Sequence, residues 1–305
     1  MTVNTLAIST PTDDAAAAFE ARLACFPAQV AKADEAGDVR VGYREAAQLH
    51  ALRSDTLPLV LLHGIGSGAA SWVQQLETLG GTRRVLAWDA PGYGDSTPVA
   101  AASPAAADYA ARLAGWLDTL GIARCVLVGH SLGAIMAGAF AVANPQRLAG
   151  LLLISPAGGY GASSEALRAE KRDTRLAMLA ELGPAGLAAK RSANMLSPHA
   201  DDAARAWVRW NMARVLPHGY AQATHLLANA DLAADLAAFQ GKVSVAAGAD
   251  DTITPPAACE RLAAAAHAPF EVVPGAGHAG YIEAPAAYSA LIDAFCRAAE
   301  EQRSF

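Results

Sequence analysis

The most distinctive chemistry in the sequence lies around one serine, Ser131. A short apolar run, Cys125–Val128, precedes it, and the run that follows, Leu132–Ala143, is rich in small apolar residues. Ser131 is the centre of the string Gly129-His130-Ser131-Leu132-Gly133. A G-x-S-x-G string between a strand and a helix predicts a nucleophile elbow, a sharp turn that presents the serine hydroxyl at the edge of a sheet.

The residues around Ser131 suit that role. Glycines on both sides remove side chains that would clash with the neighbouring strand and helix, which lets the central residue adopt a strained backbone conformation. The turn also puts Ser131 at a helix N-terminus, where free amides and the helix dipole favour a developing negative charge. We therefore expect the backbone N–H of Leu132 to be one donor of an oxyanion hole.

A serine hydroxyl is a weak nucleophile until a base and an orienting carboxylate activate it. His278 lies in a glycine-rich loop after the apolar run Phe270–Val273, and two carboxylates, Asp250 and Asp251, follow the run Val243–Ala246. The chain order serine, aspartate, histidine is the order that a nucleophile elbow requires. The pattern predicts His278 as the base and one of the two aspartates as the acid.

These residues need a sheet to position them, and the sequence predicts one. Seven short apolar runs alternate with helical patterns: Val39–Tyr43, Leu59–Leu62, Val85–Trp88, Cys125–Val128, Leu151–Ile154, Val243–Ala246 and Phe270–Val273. Strands that alternate with helices favour a mostly parallel sheet covered on both faces, because parallel strands need crossover connections.

The alternation stops between about residues 157 and 238. No strand run occurs there, but helical patterns do, over Ser164–Leu182 and Asp201–Val215. We expect residues 39–156 and 239–305 to form an α/β core, and residues 157–238 to form a helical cap inserted after the strand that ends near Ile154. Residues 1–38 are predicted to be an N-terminal extension of unknown role that contains a helix over Ala15–Cys25.

Four motifs together resemble the α/β-hydrolase family over roughly residues 39–300. Besides the elbow, they are the His63-Gly64 pair after a strand, the loop from Asp89 to Ser96 with its D-x-P-G-x-G-x-S pattern, and the ending from His278 to Pro285. The resemblance implies that Ile65 gives the second oxyanion amide and that the loop from Asp89 has a structural role. It also implies Asp251 rather than Asp250 as the acid, because Gly248 and Pro255 bracket Asp251 with the family's spacing.

The resemblance points to the branch with a serine nucleophile, which includes esterases, enol-lactonases and C–C bond hydrolases. Relatives that split ring-cleavage products commonly carry Asn before the serine and Trp after the histidine, where this chain has His130 and Ala279. Our main hypothesis is therefore hydrolysis of a small, largely apolar carboxylic ester through an acyl-enzyme. The alternatives are an enol-lactone or C–C hydrolase of aromatic catabolism and a non-catalytic ligand-binding protein of the same fold.

Cap residues are expected to line the substrate pocket. Arg191, Arg209 and Trp210 would suit an apolar acid, because an arginine pairs bidentately with a carboxylate. The competing interpretation for each is a solvent-facing arginine or a core tryptophan.

Composition excludes several other classes of function. A formal net charge of −6 without a basic stripe disfavours nucleic acid and anionic lipid. No apolar stretch reaches the length of a membrane span, and the first residues lack a secretory pattern, so we expect a cytoplasmic protein. The four cysteines have no metal-ligand spacing, and no phosphate-loop string occurs, so no metal or cofactor is expected. The sequence leaves the oligomeric state open.

One dinucleotide-type pattern competes with the hydrolase interpretation. Gly64-x-Gly66-x-x-Ala69 follows a strand, and Asp89 lies at the end of the next strand. That interpretation explains neither the elbow nor the acid and histidine loops.

Overall fold

The structure is a computed structural model that describes residues 11–34, 38–47 and 56–301. Its described residues contain eight strands: β1 Gln29–Lys32, β2 Arg40–Ala46, β3 Leu59–Leu62, β4 Val85–Trp88, β5 Cys125–His130, β6 Leu148–Ile154, β7 Val243–Gly248 and β8 Phe270–Val273. They form one sheet in the order β1-β2-β4-β3-β5-β6-β7-β8. The pairs β1–β2 and β2–β4 are antiparallel, and all other neighbours are parallel.

Helices cover both faces of this sheet. They are α1 Pro11–Leu23, α2 Val73–Leu79, α3 Ala106–Thr119, α4 Leu132–Ala143, α5 Glu165–Arg191, α6 Asp202–Met212, α7 Pro217–Asn229, α8 Leu232–Ala238, α9 Pro256–Ala265, α10 Gly280–Glu283 and α11 Pro285–Glu301. Every residue of β3, β4, β5 and β6 is buried, which explains why those strands are apolar, apart from His130 at the end of β5, rather than alternating. The predicted α/β class and mostly parallel sheet are confirmed.

All seven predicted strands are present, but the sequence analysis missed β1. Its sequence, Gln-Val-Ala-Lys, lacks an apolar run because the strand lies at the edge of the sheet and buries only Ala31. β1 pairs with β2 from Gln29 opposite Tyr43 to Lys32 opposite Arg40. The expected boundary at residue 38 therefore does not separate an extension from the core, because part of the first 38 residues belongs to the sheet.

The helical insertion lies where the sequence predicts it, between β6 and β7, and holds α5 to α8. α5 is two helical arms rather than one straight helix, because Gly183 breaks it with φ 61° and ψ 177°. A positive φ costs glycine little, and the following Pro184 has no N–H to give to a continuous helix. α8 returns to the core and packs against α4 and α9.

The N-terminal helix α1 packs on the outside of cap helix α6. The ring of Phe19 stacks on Trp207 with centroids 4.7 Å apart, and the Trp210 indole N–H donates to the Glu20 carboxylate at 2.6 Å. On its other side, Arg22 pairs with Glu77 of the core helix α2. α1 thus connects the cap to the core.

We predict that Phe19→Ala loosens the cap. The change removes a buried ring that stacks on Trp207, so the free energy of unfolding should fall by about 3 kcal/mol. Urea denaturation measures this loss. Amide hydrogen exchange in α6 should be faster in the variant than in the wild type. Val30→Ala is the control, because Val30 is 47% exposed on β1. Equal losses in the two variants would show that α1 does not support the cap.

Candidate active site

Ser131 occupies a one-residue turn between β5 and α4. Its backbone has φ 53° and ψ −115°, a conformation that residues with a side chain rarely adopt. Three hydrogen bonds hold it: the Ser131 N–H donates to the Ile154 carbonyl at 3.1 Å, and the Ser131 carbonyl accepts from Ala134 and Ala157 at 3.1 Å each. Ser131 thus lies in a strained strand-to-helix turn that is fixed on both sides.

The glycines beside Ser131 leave no room for a side chain. A Cβ on Gly129 would lie 2.6 Å from the Gly133 carbonyl oxygen, and a Cβ on Gly133 would lie 2.5 Å from the Leu62 carbonyl oxygen. Both distances are far below van der Waals contact, so α4 could not start so close to β3 and β5 with larger residues. This close packing sets the position of Ser131.

His278 and Asp251 meet at the carboxyl ends of β8 and β7. The His278 Nδ1 lies 2.9 Å from Asp251 Oδ2, and both side chains are buried. Asp251 Oδ1 accepts the backbone N–H groups of Ile253 at 2.8 Å and Thr254 at 2.9 Å. Among the described residues, the Asp250 carboxylate makes no hydrogen bond to His278. The backbone N–H of Asp250 donates to the Ala276 carbonyl.

Asp251 is held as a carboxylate despite its burial. Burial by itself raises its pKa, but the hydrogen bond and charge of His278, together with the donors of Thr254, lower the pKa to about 2. An ionised Asp251 can orient the imidazole and stabilise the imidazolium that forms when His278 takes a proton.

His130 contacts the backbone of the loop that carries His278. This contact was not among the predictions from the sequence. Its Nε2 lies 2.9 Å from the His278 carbonyl oxygen, and because a carbonyl only accepts, Nε2 carries the proton. Burial, and then the nearby His278, lower the pKa of His130 to about 3, so this ring is neutral at ordinary pH. The only sequence signal was a polar side chain at the second position of the G-x-S-x-G string.

The loop after β3 brings Ile65 to the same place. His63 donates from Nδ1 to the Gly64 carbonyl at 2.8 Å and accepts the Ala90 N–H on Nε2 at 3.0 Å. The Tyr93 hydroxyl donates to the Ile65 carbonyl at 2.8 Å. A Cβ on Gly64 would lie 3.0 Å from the Ser131 Cβ, so this loop passes directly beside the serine.

The loop from Asp89 to Ser96 makes structural contacts. Asp89 Oδ1 accepts the Ala69 N–H at 2.8 Å. The Ser96 hydroxyl donates to the Asp89 carbonyl at 2.6 Å and accepts the Gly42 N–H at 2.8 Å. Because the Asp89 carboxylate already accepts a backbone N–H of the segment after β3, these contacts disfavour the dinucleotide interpretation, in which Asp89 would bind a ribose.

A cavity of about 590 Å³ opens over the serine and the histidine. This volume is typical of small-molecule sites. Its lining includes Ser131, His278, Ile65, Leu132 and Thr254 from the core, and Leu187, Met195, Met212, Tyr220 and Leu227 from the insertion. The predicted nucleophile, base and both oxyanion residues therefore face one mostly apolar chamber.

Of the three cap residues expected at the pocket, only Arg191 lines it. Arg209 is exposed on α6, and Trp210 is turned outward, where it stacks on Trp207 with centroids 4.4 Å apart. The reason is that α6 has two apolar faces, and the one that carries the tryptophans is covered by α1 while Met212 faces the cavity.

Two further arginines line the cavity: Arg175 on α5 and Arg261 on α9. Neither of these guanidinium groups, nor that of Arg191, has a hydrogen bond or an ion pair within the part of the chain that the structure describes. Arg175 and Arg261 were not predicted from the sequence, because periodicity does not tell which face of a helix meets a cavity.

The chain belongs to the alpha/beta hydrolase family, whose model matches residues 59–291. Among solved structures it is similar to a thermophilic esterase from Thermogutta terrifontis, with 25% identity and a TM-score of 0.77, covering 90% of this chain and 99% of that one. The structural match therefore covers nearly the whole fold of that esterase.

Two curated relatives match over a shorter region. A 2-hydroxy-6-oxononadienedioate/2-hydroxy-6-oxononatrienedioate hydrolase 2 of Pseudomonas putida is 41% identical over 110 residues, which are 35% of this chain and 38% of that protein. A (Lyso)-N-acylphosphatidylethanolamine lipase of Mus musculus is 33% identical over 109 residues, 35% of this chain and 32% of that protein. The aligned segments span about a third of the length of these relatives.

The described residues lack two further features. None of their helices combines the length and apolarity needed to cross a membrane. No group of three or more His, Cys, Asp or Glu side chains is arranged there to hold a metal ion.

We predict that Asp251 contributes a pH-dependent part of the stability. Its folded pKa of about 2 lies below the ordinary 3.8, so the unfolded chain takes up the proton first as the pH falls. The stability advantage of the wild type over Asp251→Asn should be full above about pH 4 and shrink from there toward pH 2. Urea unfolding between pH 5 and pH 3 measures it.

The matched control for that experiment is Asp250→Asn. Asp250 directly precedes Asp251, and its carboxylate makes no hydrogen bond to His278. We expect its stability difference from the wild type to change less with pH than that of Asp251→Asn. If the difference in unfolding free energy between wild type and Asp251→Asn stays constant from pH 5 to pH 3, Asp251 is not a buried carboxylate with a lowered pKa.

Proposed function

We propose that this protein is a serine hydrolase in which Ser131 is the nucleophile, His278 the general base and Asp251 the acid that orients the base. One observation carries the proposal: the strained Ser131 and the buried Asp251–His278 pair open onto the same cavity. A strained serine at a helix N-terminus next to a histidine that a carboxylate orients is the arrangement that activates a hydroxyl.

The reaction follows from these groups. His278 Nε2 takes the Ser131 proton as Oγ attacks the carbonyl carbon, and the carbonyl electron pair moves onto oxygen. The N–H groups of Ile65 and Leu132 stabilise this oxyanion. The imidazolium then protonates the leaving alcohol, and an acyl-enzyme remains. Water, deprotonated by His278, attacks the acyl carbon, and the serine leaves with the proton, which regenerates the enzyme.

A small, largely apolar carboxylic ester is the substrate that we favour. The lining of methionine, leucine and tyrosine side chains suits an apolar acyl or alcohol group, and the volume of about 590 Å³ suits a small molecule. The likeness to an esterase over 90% of the chain supports the same reaction class.

The test is turnover of p-nitrophenyl acetate and butyrate. We expect the wild type to release nitrophenolate and Ser131→Ala to lose at least about 1,000-fold in kcat, as removal of a triad nucleophile does. Ser163→Ala is the matched control, because Ser163 lies outside the cavity lining. Unchanged turnover in Ser131→Ala would overturn the proposal, and a wild type that binds these esters without turnover would favour a ligand-binding protein.

A second candidate, hydrolysis of a C–C bond or an enol-lactone in an acid-bearing substrate, is favoured by the cavity arginines. Arg175, Arg191 and Arg261 give an otherwise apolar chamber three cationic groups. Unpaired guanidinium groups suit a carboxylate. The relative from Pseudomonas putida that shares 41% identity is named for a dioate. His130 and Ala279 depart from the residues common in the C–C hydrolases, so the ester remains our first choice.

Two esters that share a chain but end in a carboxylate in one case and in a neutral methyl ester in the other test the arginines. We predict that p-nitrophenyl hydrogen adipate is hydrolysed with at least about 10-fold higher kcat/KM than its neutral p-nitrophenyl methyl adipate, because a guanidinium–carboxylate contact forms in the cavity. Arg191→Gln should remove most of that preference, whereas Arg209→Gln, at the exposed arginine, should keep it. Equal kcat/KM for the two esters in the wild type would contradict an acid-binding cavity.

A further inference from the structure

Thr254 stands where the acid and the base meet. It lies between Asp251 and the start of α9, and it lines the cavity. Its Oγ1 is 2.8 Å from Asp251 Oδ2, 3.1 Å from His278 Nδ1 and 3.0 Å from the Ser155 carbonyl oxygen. A threonine hydroxyl has one proton and two lone pairs, so these three contacts restrict where the proton goes.

The acceptors determine the direction of the hydrogen bonds. The Ser155 carbonyl and the Asp251 carboxylate can only accept, and the carboxylate is both nearer and charged. The hydroxyl proton therefore points mainly to Asp251 Oδ2. A lone pair of Oγ1 then faces the N–H at Nδ1 of His278, which is shared between Asp251 Oδ2 at 2.9 Å and Thr254 Oγ1 at 3.1 Å.

The three atoms form a closed triangle of hydrogen bonds. A ring held by a single hydrogen bond can swing about that bond, whereas a second contact on Oγ1 limits the swing. Beside the triangle, Ser155 has a positive φ of 46°, and its N–H donates to the Ala246 carbonyl of β7 at 2.7 Å.

We propose that Thr254 is a positioning residue for the catalytic histidine, and that its hydroxyl bridges Asp251 and His278 and sets the orientation of the imidazole toward Ser131. The inference rests on the proposed serine hydrolase function. By donating to Oδ2, the hydroxyl also takes up part of the carboxylate charge that would otherwise act on the imidazolium.

The neighbouring titratable groups do not obscure this effect. The pKa of Asp251 is lowered to about 2 and that of His130 to about 3, while burial raises the pKa of the Cys259 thiol to about 12. His130 approaches from β5, with its ring 4.9 Å from that of His278, and Cys259 approaches from α9, with Sγ 3.3 Å from the Thr254 carbonyl oxygen. None of the three changes charge between about pH 5 and pH 9.

The test compares Thr254→Val and Thr254→Ser in the purified full chain with p-nitrophenyl butyrate. Valine keeps the shape of threonine but not the hydroxyl, so we expect kcat to fall about 10-fold, the worth of one hydrogen bond to a charged group. KM should change less than twofold. The acid limb of the pH–rate profile should also move, because the hydroxyl contacts both the carboxylate and the imidazole, and serine should restore both kcat and the acid limb.

Thr252→Val is the matched control, since Thr252 is an exposed threonine in the same loop and should change neither quantity. Wild-type kcat and an unmoved acid limb in Thr254→Val would overturn the inference and leave the proposed function intact. A lower kcat with an unmoved acid limb, not restored by serine, would also overturn it and show a merely structural role. No turnover by the wild type and no reaction of Ser131 with a fluorophosphonate would overturn the proposed function and the inference together.

Discussion

The strained turn at Ser131 is the constraint on which the rest of the site depends. A non-glycine residue at φ 53° costs on the order of 1–3 kcal/mol and persists only where its surroundings fix it. Here β5 enters the turn from the middle of the sheet. α4 begins so close to the strands that only glycine fits at positions 129 and 133. The energy of the buried sheet therefore stabilises a serine conformation that the local chain would not choose.

The polar part of the site follows a similar principle, in that burial is offset by hydrogen bonds. Asp251 loses its water but gains two backbone N–H donors, a hydroxyl contact and the imidazole. His130 is buried in its neutral form and uses its proton to hold the His278 carbonyl. Only a network in which most members are satisfied can keep an ionised carboxylate beside an apolar cavity.

Much of this arrangement could be predicted from the sequence, because it depends on local patterns. Buried strands are apolar throughout, and the turn at Ser131 needs its glycines, so both leave a clear signature. Asp251 could be preferred over Asp250 only through the family's spacing, since both follow the same strand. The edge strand β1 escaped prediction because it buries only one side chain.

The pocket was harder to predict, because its walls depend on how helices pack. α6 presents tryptophans to α1 and Met212 to the cavity, and periodicity alone does not distinguish these two apolar faces. The outward position of Trp210 and the inward position of Arg175 both follow from packing between segments far apart in the chain. Thr254 gave no signal either, since its contacts join loops that follow different strands.

Covalent labelling tests the central claim, that Ser131 is an activated nucleophile, most directly. The wild-type protein would be treated with a fluorophosphonate at neutral pH, and the modified peptide would be identified by mass spectrometry. We expect one phosphonyl adduct, on Ser131, that forms much more slowly in His278→Ala. An adduct on another serine, or labelling of Ser131 at the same rate without His278, would contradict it.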